Sequence, residues 1–153
     1  MGERARILVI DDDESIRSVL TTILEEEYTV DTAQNGEDAI NKTRTQLYNL
    51  ALIDVRLPDM EGTELLTRMK ETVPKMRKII ITGYPSLGNA IAAVNKGADA
   101  YLMKPFDIEK VLKVIKEQLV KWQQEKRYSQ ERVTDFIETR VMEIEAKKGY
   151  KRS

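Results

Sequence analysis

Short apolar runs alternate with helical patterns from residue 6 to about residue 120. Three of the runs, Ile7–Ile10, Leu50–Ile53 and Ile79–Ile81, are apolar at every position, which is typical of strands buried on both faces. The segments between the runs carry apolar residues three and four positions apart, as amphipathic helices do. Strands that alternate with helices predict an α/β fold, in which helices cover both faces of a parallel sheet.

Flanking residues help to place the predicted elements along the chain. Asn35–Gly36 is predicted to turn the chain before the second helix, Pro74 to stop the third helix, and Gly97 to be the left-handed cap of the fourth. The second strand is short and alternating, so we expect it nearer an edge of the sheet. The predicted strands are 7–10, 28–33, 50–54, 78–82 and 99–103, and the predicted helices are 16–24, 39–47, a third that carries Leu65, Leu66 and Met69, 86–96, and a fifth that starts near Asp107.

The chain continues well beyond what a fifth helix requires. Residues 106–148 contain neither Gly nor Pro, and an apolar seam weakens before a second apolar patch begins. The pattern predicts either one long helix or two helices with a break near residues 127–129. We expect a compact domain at 1–122 and a helical extension at 123–153, whose basic end is frayed. The second patch needs a partner surface, either in a homodimer or on helix five; it consists of Val133, Phe136, Ile137, Val141 and Ile144.

Composition narrows the classes of function. The chain has 153 residues, which suits one domain with an appendage, and its net charge of −1 does not favour nucleic-acid binding. It contains no apolar stretch as long as about 18 residues, so we expect no membrane span. Cysteine is absent, which excludes thiol chemistry and fits a cytoplasmic protein. Histidine is also absent, so any phosphohistidine involved must lie on another molecule.

Polar residues follow four of the predicted strands. Asp11 and Asp12 follow the first strand, and Asp54, Thr82 and Lys104 stand at the ends of the third, fourth and fifth. Because the carboxyl ends of parallel strands meet at one edge of a sheet, we expect a single acidic pocket with a cation and a hydroxyl beside it. Three carboxylates in one pocket repel each other unless a cation binds. Mg²⁺, with Mn²⁺ as a substitute, suits such oxygen ligands, whereas Zn²⁺ is disfavoured without His or Cys.

The same pocket would contain the groups that phosphoryl transfer requires. That reaction depends mainly on positioning and on stabilising negative charge around three oxygens. Mg²⁺ and the Lys104 ammonium would balance the charge, and the Thr82 hydroxyl would donate a hydrogen bond to a third oxygen. Asp54 would then be a nucleophile that forms an acyl phosphate.

Four segments together resemble one protein family. They are Val9–Glu14, Leu52–Gly62, Ile81–Tyr84 and Gly97–Phe106. Over about residues 4–120, the chain is similar to the CheY-like receiver domains of two-component response regulators. Its Arg-Leu-Pro-Asp-Met and Thr-Gly-Tyr sequences most resemble receivers of the nitrogen-regulator type, which usually control a sigma-54 activator ATPase. The resemblance implies a flavodoxin-like (βα)5 fold with strand order 2-1-3-4-5, and a role in phosphorelay signalling rather than a metabolic enzyme activity.

Each residue of the acidic pocket has an expected role. The resemblance implies that Asp54 accepts a phosphoryl group from a sensor histidine kinase or a phosphotransfer protein. It also implies that Asp12, Asp54 and the backbone carbonyl of Arg56 bind Mg²⁺ directly, and that Asp11 helps largely through water. Arg56 and Tyr84 each lie two residues beyond a site residue, where we expect them to flank the path of attacking water and slow hydrolysis of the phosphoaspartate.

The remaining implied roles concern the switch. Thr82 and Lys104 bind the phosphoryl group, Tyr101 changes rotamer as the switch aromatic, and the Lys104–Pro105 bond is expected to be cis. Output is expected through the surface of helix four, strand five and helix five. Together with the extension, this surface is also where we expect a homodimer.

Other functions compete with a signalling module. A phosphohydrolase of the haloacid-dehalogenase type carries a second Asp two residues after its nucleophile, whereas Val55 and Arg56 follow Asp54. A binding scaffold would act through dimerisation alone and never use its phosphate pocket. No ATP-binding Gly-rich loop or helix-turn-helix pattern follows the receiver-like segment, so we expect neither ATPase activity nor direct nucleic-acid binding. The chain is either a receiver with the linker helix of a longer protein or a stand-alone regulator with an oligomerising tail.

Overall fold

A computed structural model describes residues 3–83 and 86–152, with side chains up to residue 147. This part of the chain contains a five-stranded parallel sheet in the order β2-β1-β3-β4-β5, which confirms the predicted fold class and strand order. The strands are β1 (Arg6–Ile10), β2 (Thr29–Ala33), β3 (Leu50–Asp54), β4 (Arg77–Thr82) and β5 (Ala100–Met103), and the helices are α1 (Glu14–Leu24), α2 (Gly36–Thr45), α3 (Gly62–Arg68), α4 (Leu87–Asn95) and α5 (Ile108–Arg152).

Apolar side chains cover both faces of the sheet. Successive residues of a strand point to opposite faces. Leu8 and Ile10 of β1 therefore pack into one buried cluster with side chains of α2 and α3, whereas Ile7 and Val9 pack into a second cluster with side chains of α1 and α5. Burial on both faces explains why the strand sequences show no alternation.

Capping residues mark the start of α2 and both ends of α4. Asn35 and Ser86 each accept a hydrogen bond from an amide of the following first turn, at 2.8 and 3.1 Å. Such caps satisfy amides that have no acceptor inside the helix. Gly36, which the sequence places in a turn, is therefore the first residue of α2. Gly97 has a φ of +102°, so the prediction of a left-handed cap after α4 is confirmed.

The third helix is shorter than the sequence predicts. Pro74 is not the residue that stops it, because α3 ends at Arg68 and Met69 is already extended, with φ −72° and ψ 147°. The Lys78 Nζ donates a hydrogen bond to the carbonyl oxygen of Leu66 at 3.1 Å. A buried side chain from β4 thereby satisfies one of the carbonyls that a helix end leaves without an intrahelical donor.

Helix α5 runs without a break from Ile108 to Arg152. Of the two predicted alternatives, the single long helix is correct. The prediction that the apolar patch of the extension packs back on helix five is wrong, because the patch belongs to that same helix. The patch is exposed, with Phe136 at 67% and Val133 at 58%. Within the described residues no helix, α5 included, is apolar enough over a sufficient length to span a membrane.

A polar cluster holds α5 against the amino-terminal edge of the sheet. Arg77 Nε donates to Gln118 Oε1 at 3.1 Å, and the Arg77 guanidinium lies 3.7 Å from Asp99 and 3.9 Å from Glu125. The backbone amide of Lys75 donates to Glu125 Oε1 at 3.3 Å. We name these five residues the α5 clamp, because they connect the base of β4 to the part of α5 that leaves the sheet.

Candidate functional site

The predicted site residues come together at the carboxyl edge of the sheet. Asp54 and Thr82 are the last residues of β3 and β4, Asp11 and Lys104 come directly after β1 and β5, and Asp12 follows Asp11. The parallel register aligns the ends of these four strands with one another. The folded chain therefore joins residues that are up to 93 positions apart, as the contact between Asp11 and Lys104 illustrates.

Three carboxylates form one cluster. Asp11, Asp12 and Asp54 each offer an oxygen, and these oxygens lie within 4.8 Å of one another. Asp11 and Asp54 are buried, whereas Asp12 is exposed. Backbone amides hold the two buried groups, since Asp13 donates to Asp11 at 2.9 Å and Arg56 donates to Asp54 at 3.3 Å. An oxygen-only cluster with one side open to solvent suits Mg²⁺, which prefers oxygen ligands and keeps several waters.

Lys104 places a positive charge beside this cluster. Its Nζ lies 3.1 Å from Asp11 Oδ2 and 3.5 Å from Asp54 Oδ2. Its backbone amide donates to the Thr82 carbonyl at 2.7 Å, and the Lys104–Pro105 bond is cis, as the resemblance implies. One ammonium faces three carboxylates, so the cluster keeps a net negative charge that attracts a further cation.

The pKa values of Asp54 and Lys104 reflect this crowding. Burial raises the pKa of Asp54 and the charge of Asp11 raises it further, while Lys104 and the Arg56 amide offset only part of the rise. Burial acts to lower the pKa of Lys104, but the hydrogen bonds and charges of Asp11 and Asp54 outweigh it, so that the pKa is raised. The ionised form of Asp54 is thus disfavoured in this pocket, and a divalent cation would relieve the cost.

Gly62 allows helix α3 to start directly against the end of β3. Its amide donates to the Val55 carbonyl at 2.7 Å. A Cβ atom at this position would collide with the backbone carbonyl oxygen of Asp54. Because backbone atoms cannot move aside as a flexible side chain can, the segment after Asp54 requires glycine here.

The other predicted residues differ in their surroundings. The Thr82 side chain is completely buried at the end of β4. Tyr101 is partly buried against the apolar cluster beneath α2 and α3, and its buried hydroxyl has no hydrogen-bond partner among the described residues. The Arg56 side chain is exposed. Tyr84 lies outside the described residues.

Two residues near the site escape prediction from the sequence. Arg17 Nη1 donates to the backbone carbonyl of Asp11 at 2.7 Å, a contact that can be inferred only once the start of α1 is known. Asp59 binds backbone amides of α2 that lie 22 and 23 positions earlier in the chain. No local sequence signal marks that contact, because it depends on which loop meets which helix end.

The fold and the site define a CheY-like receiver domain. The model of the response regulator receiver domain family matches residues 7–116. The chain therefore belongs to the response regulator receiver domain family.

Two curated relatives illustrate the similarity. The transcriptional regulatory protein ZraR of Klebsiella oxytoca is 38% identical over 119 residues, which cover 77% of this chain and 27% of ZraR. The DNA-binding transcriptional regulator NtrC of Proteus hauseri is 34% identical over 125 residues, which cover 81% of this chain and 26% of NtrC. The chain thus spans about a quarter of the length of these relatives.

Solved receiver domains match almost over their whole length. A CheY-like response regulator receiver domain protein from Methanospirillum hungatei JF-1 is 44% identical, with a TM-score of 0.77, and covers 80% of this chain and 99% of that protein. The beryllofluoride-activated NtrC4 receiver domain dimer is 40% identical, with a TM-score of 0.72, and covers 76% of this chain and 98% of that protein. About a fifth of this chain therefore lies outside the similarity to either domain.

Proposed function

We propose that this chain is a phosphorylation-controlled signalling module in which Asp54 accepts a phosphoryl group from a partner histidine kinase or phosphotransfer protein. The observation that carries the proposal is the buried Asp54 carboxylate, which shares one cluster with Asp11 and Asp12 and has the Lys104 ammonium 3.5 Å away. Membership of the receiver family supports the same role. The module works in the cytoplasm, where kinases of this kind present their phosphohistidine.

The acidic cluster fits a magnesium site. Asp12, Asp54 and the backbone carbonyl of Arg56 would hold Mg²⁺ directly, and Asp11 largely through water. Bound Mg²⁺, or Mn²⁺ in its place, supplies positive charge that lowers the energy of the transferring phosphoryl group. The carboxylates provide a set of ligands that consists of oxygen atoms alone, which is the set that Mg²⁺ prefers.

The transfer requires no oxidant or reductant. An Asp54 carboxylate oxygen attacks phosphorus, the new O–P bond forms as the P–N bond of the donor phosphohistidine breaks, and the imidazole leaves. Lys104 stabilises one phosphoryl oxygen, and the Thr82 hydroxyl donates to another. The same pocket returns to its initial state when water hydrolyses the acyl phosphate, so its catalysis serves a switch rather than metabolism.

Tyr101 is the proposed link between the pocket and the output surface. Its hydroxyl is buried without a partner among the described residues, an arrangement that costs free energy. Movement of Thr82 toward the phosphoryl group would change the space available to the Tyr101 ring. Output would leave through the face of α4, β5 and α5, which exposes apolar side chains; these are Leu87, Ile91, Val94 and Met103.

Homodimerisation is part of the proposal. The NtrC4 receiver is a dimer in its beryllofluoride-activated form, and the α4-β5-α5 face and the apolar patch of the extension both need a partner here. Residues 1–122 would form the receiver and residues 123–153 the linker or oligomerisation helix.

Phosphorylation of Asp54 is tested by intact mass after incubation with acetyl phosphate and Mg²⁺. We expect one added phosphoryl group on the wild type and none on Asp54→Asn. Asp31→Asn is the matched control, because Asp31 is an acid on β2 that pairs with Arg6 outside the pocket. A wild type that remains unmodified, or an Asp54→Asn variant that is modified equally, would overturn the proposal; the first result would favour a scaffold.

Arg56 and Tyr84 are proposed to slow hydrolysis of the phosphoaspartate. Bulky side chains two residues beyond Asp54 and Thr82 would narrow the path of the attacking water. We expect Arg56→Ala and Tyr84→Ala to shorten the lifetime of the acyl phosphate, measured by loss of the added mass. An unchanged lifetime in both variants would remove this role.

A further inference from the structure

Two hydrogen bonds join the segment after Asp54 to helix α2. Asp59 lies in the β3–α3 loop of residues 55–61, and its carboxylate accepts from the Gly36 amide at 2.8 Å and from the Glu37 amide at 2.9 Å. Both amides belong to the first turn of α2. Such amides have no acceptor inside the helix, and the positive end of the helix favours a carboxylate.

Side-chain packing reinforces this contact. Met60 is buried so close to Gly36 that a Cβ atom there would collide with its sulfur. The Arg68 guanidinium lies 3.1 Å from Glu37 Oε1 and 3.8 Å from the Met60 sulfur. We name the contact of Asp59 and Met60 with the first turn of α2 the loop–helix latch.

The latch holds one end of the loop, and backbone hydrogen bonds hold the other. At the base, the Val55 amide donates to β4 at 3.0 Å, and the Val55 carbonyl accepts from Gly62 at 2.7 Å. Within the loop, the Leu57 amide donates to the Met60 carbonyl at 3.2 Å, and residues 56 and 61 form an antiparallel bridge. Arg56 therefore lies between a fixed base and a tip that is anchored on α2.

We propose that the loop–helix latch positions the Arg56 backbone carbonyl for metal binding, so that Asp59 sets the Mg²⁺ affinity of the pocket without touching the ion. The inference rests on the proposed function, in which that carbonyl is a ligand. Asp59 is a positioning residue that acts through the loop. A ligand held in place before binding loses less freedom when the ion arrives, and the groups that orient ligands influence affinity for that reason.

The protonation state of Asp59 agrees with this role. Burial acts to raise its pKa, but the hydrogen bonds from the Gly36 and Glu37 amides outweigh burial, so that its pKa is lowered. The carboxylate is therefore the form that binds the two amides at neutral pH. Asn at this position would retain one acceptor oxygen in place of two.

The test measures Mg²⁺ binding to the full chain by the rise in thermal midpoint as Mg²⁺ is added. We expect Asp59→Ala to weaken the apparent affinity about tenfold and Asp59→Asn to fall between it and the wild type. Asn35→Ala is the matched control, because Asn35 caps the same end of α2 from within its own segment. It is expected to lower the midpoint without Mg²⁺ and to leave the Mg²⁺ affinity unchanged.

Hydrogen exchange gives a readout that does not depend on the ion. Amides of residues 55–62 should exchange faster in Asp59→Ala and not in Asn35→Ala. If Asp59→Ala does not fold, Gly36→Pro tests the latch from the helix side, because it removes an amide that Asp59 accepts from and proline is tolerated at the first position of a helix. It should weaken Mg²⁺ binding in the same way.

The inference is overturned if a folded latch variant binds Mg²⁺ like the wild type, or if Asn35→Ala weakens binding equally. A wild type that neither binds Mg²⁺ nor becomes phosphorylated would overturn the proposed function itself. If the wild type binds Mg²⁺ and becomes phosphorylated, and the latch variants bind Mg²⁺ with the same affinity, only the role of the latch is rejected.

Discussion

Asp54 and Lys78 are both buried ionisable residues, and their surroundings shift their pKa values in opposite directions. Asp54 shares its pocket with a second buried carboxylate, which raises its pKa, and with a lysine, which lowers it. Lys78 is 3% exposed and donates to the carbonyl of Leu66. Burial lowers the pKa of Lys78, and the nearby charge of Lys75 lowers it further. Both residues make stability depend on pH, with opposite signs.

Asp54→Asn should increase the free energy of unfolding at neutral pH without Mg²⁺. The pKa of Asp54 is raised in the fold above its ordinary value of 3.8. The stability that this shift contributes is fully present below the unfolded pKa and is lost as the pH rises through the folded pKa. At neutral pH, ionised Asp54 therefore destabilises the folded protein.

Urea unfolding with EDTA and with Mg²⁺ tests this expectation. Saturating Mg²⁺ should stabilise the wild type by about 2.7 kcal/mol at 100 times its dissociation constant, and Asp54→Asn by less. The gain of the variant should therefore disappear or reverse with Mg²⁺. A variant that is less stable than the wild type in EDTA would contradict the argument.

Lys78→Met should change how stability depends on alkaline pH. Because the folded pKa of Lys78 lies below its ordinary value of 10.5, the unfolded chain binds more protons between the two values, and wild-type stability gains as the pH rises there. The stability of the variant relative to the wild type should fall by up to about 1.4 kcal/mol per pH unit in that window. Lys116→Met, at an exposed position, should show no such trend in urea unfolding.

The meeting of the acidic residues at one edge of the sheet could be predicted from the sequence, whereas the contacts of Asp59 and Lys78 could not. Asp11, Asp54 and Lys104 follow apolar runs whose ends are visible in the sequence, and parallel pairing then brings them together. Asp59 and Lys78 act on helix ends that are distant in the chain. Which side chain reaches a given helix end depends on tertiary packing, and the spacing of apolar residues in the sequence does not predict it.

At the scale of secondary structure, strands were easier to place than helix ends. A strand buried on both faces is a continuous apolar run, so its limits are sharp. Helix α3 ends before the proline that the sequence suggests, and a carbonyl of its last turn accepts a hydrogen bond from Lys78 of β4. In α5, Lys126 and Ser129 interrupt the apolar seam without breaking the helix, because a helix that leaves the sheet needs no apolar face at that point.

Two glycines of α4 and its cap should respond oppositely to alanine. Gly97 has a φ of +102°, which an L side chain rarely adopts, so Gly97→Ala should cost about 1–2 kcal/mol. Gly88 lies in the first turn of α4 with nothing within 4 Å of a Cβ atom, so Gly88→Ala should gain up to about 1 kcal/mol. Chemical denaturation of both variants measures the difference, and equal effects would exclude this account.

At the scale of the whole molecule, two exposed apolar surfaces of the described chain matter for assembly. One is the exposed α4-β5 face, which includes Ile91 and Val94, and the other is the patch around Phe136 and Ile137 on the extension. Helix α5 contributes to the sheet-covering core near one end and carries the second patch near the other. Assembly through the patch would therefore join two copies at a distance from their acidic pockets.

Ile137→Asp should reduce the proposed homodimer to a monomer. The side chain of Ile137 is 55% exposed within the apolar patch, and a charge buried in a dimer interface there would be costly. Met142→Asp is the control, since residue 142 is exposed and points at least about 100° away from every residue of the apolar patch. Light scattering should give a dimer mass for the wild type and Met142→Asp only; a monomeric wild type would exclude this interface.

The unbroken α5 also acts as a lever arm. Its 45 residues span about 67 Å at a rise of about 1.5 Å each, and roughly 40 Å of that length extends past the clamp residue Glu125. A tilt of about 5° at the clamp would sweep the far end through about 3.5 Å. A displacement too small to alter the packing of the sheet would thus become, at the tip, a shift large enough to separate two touching side chains.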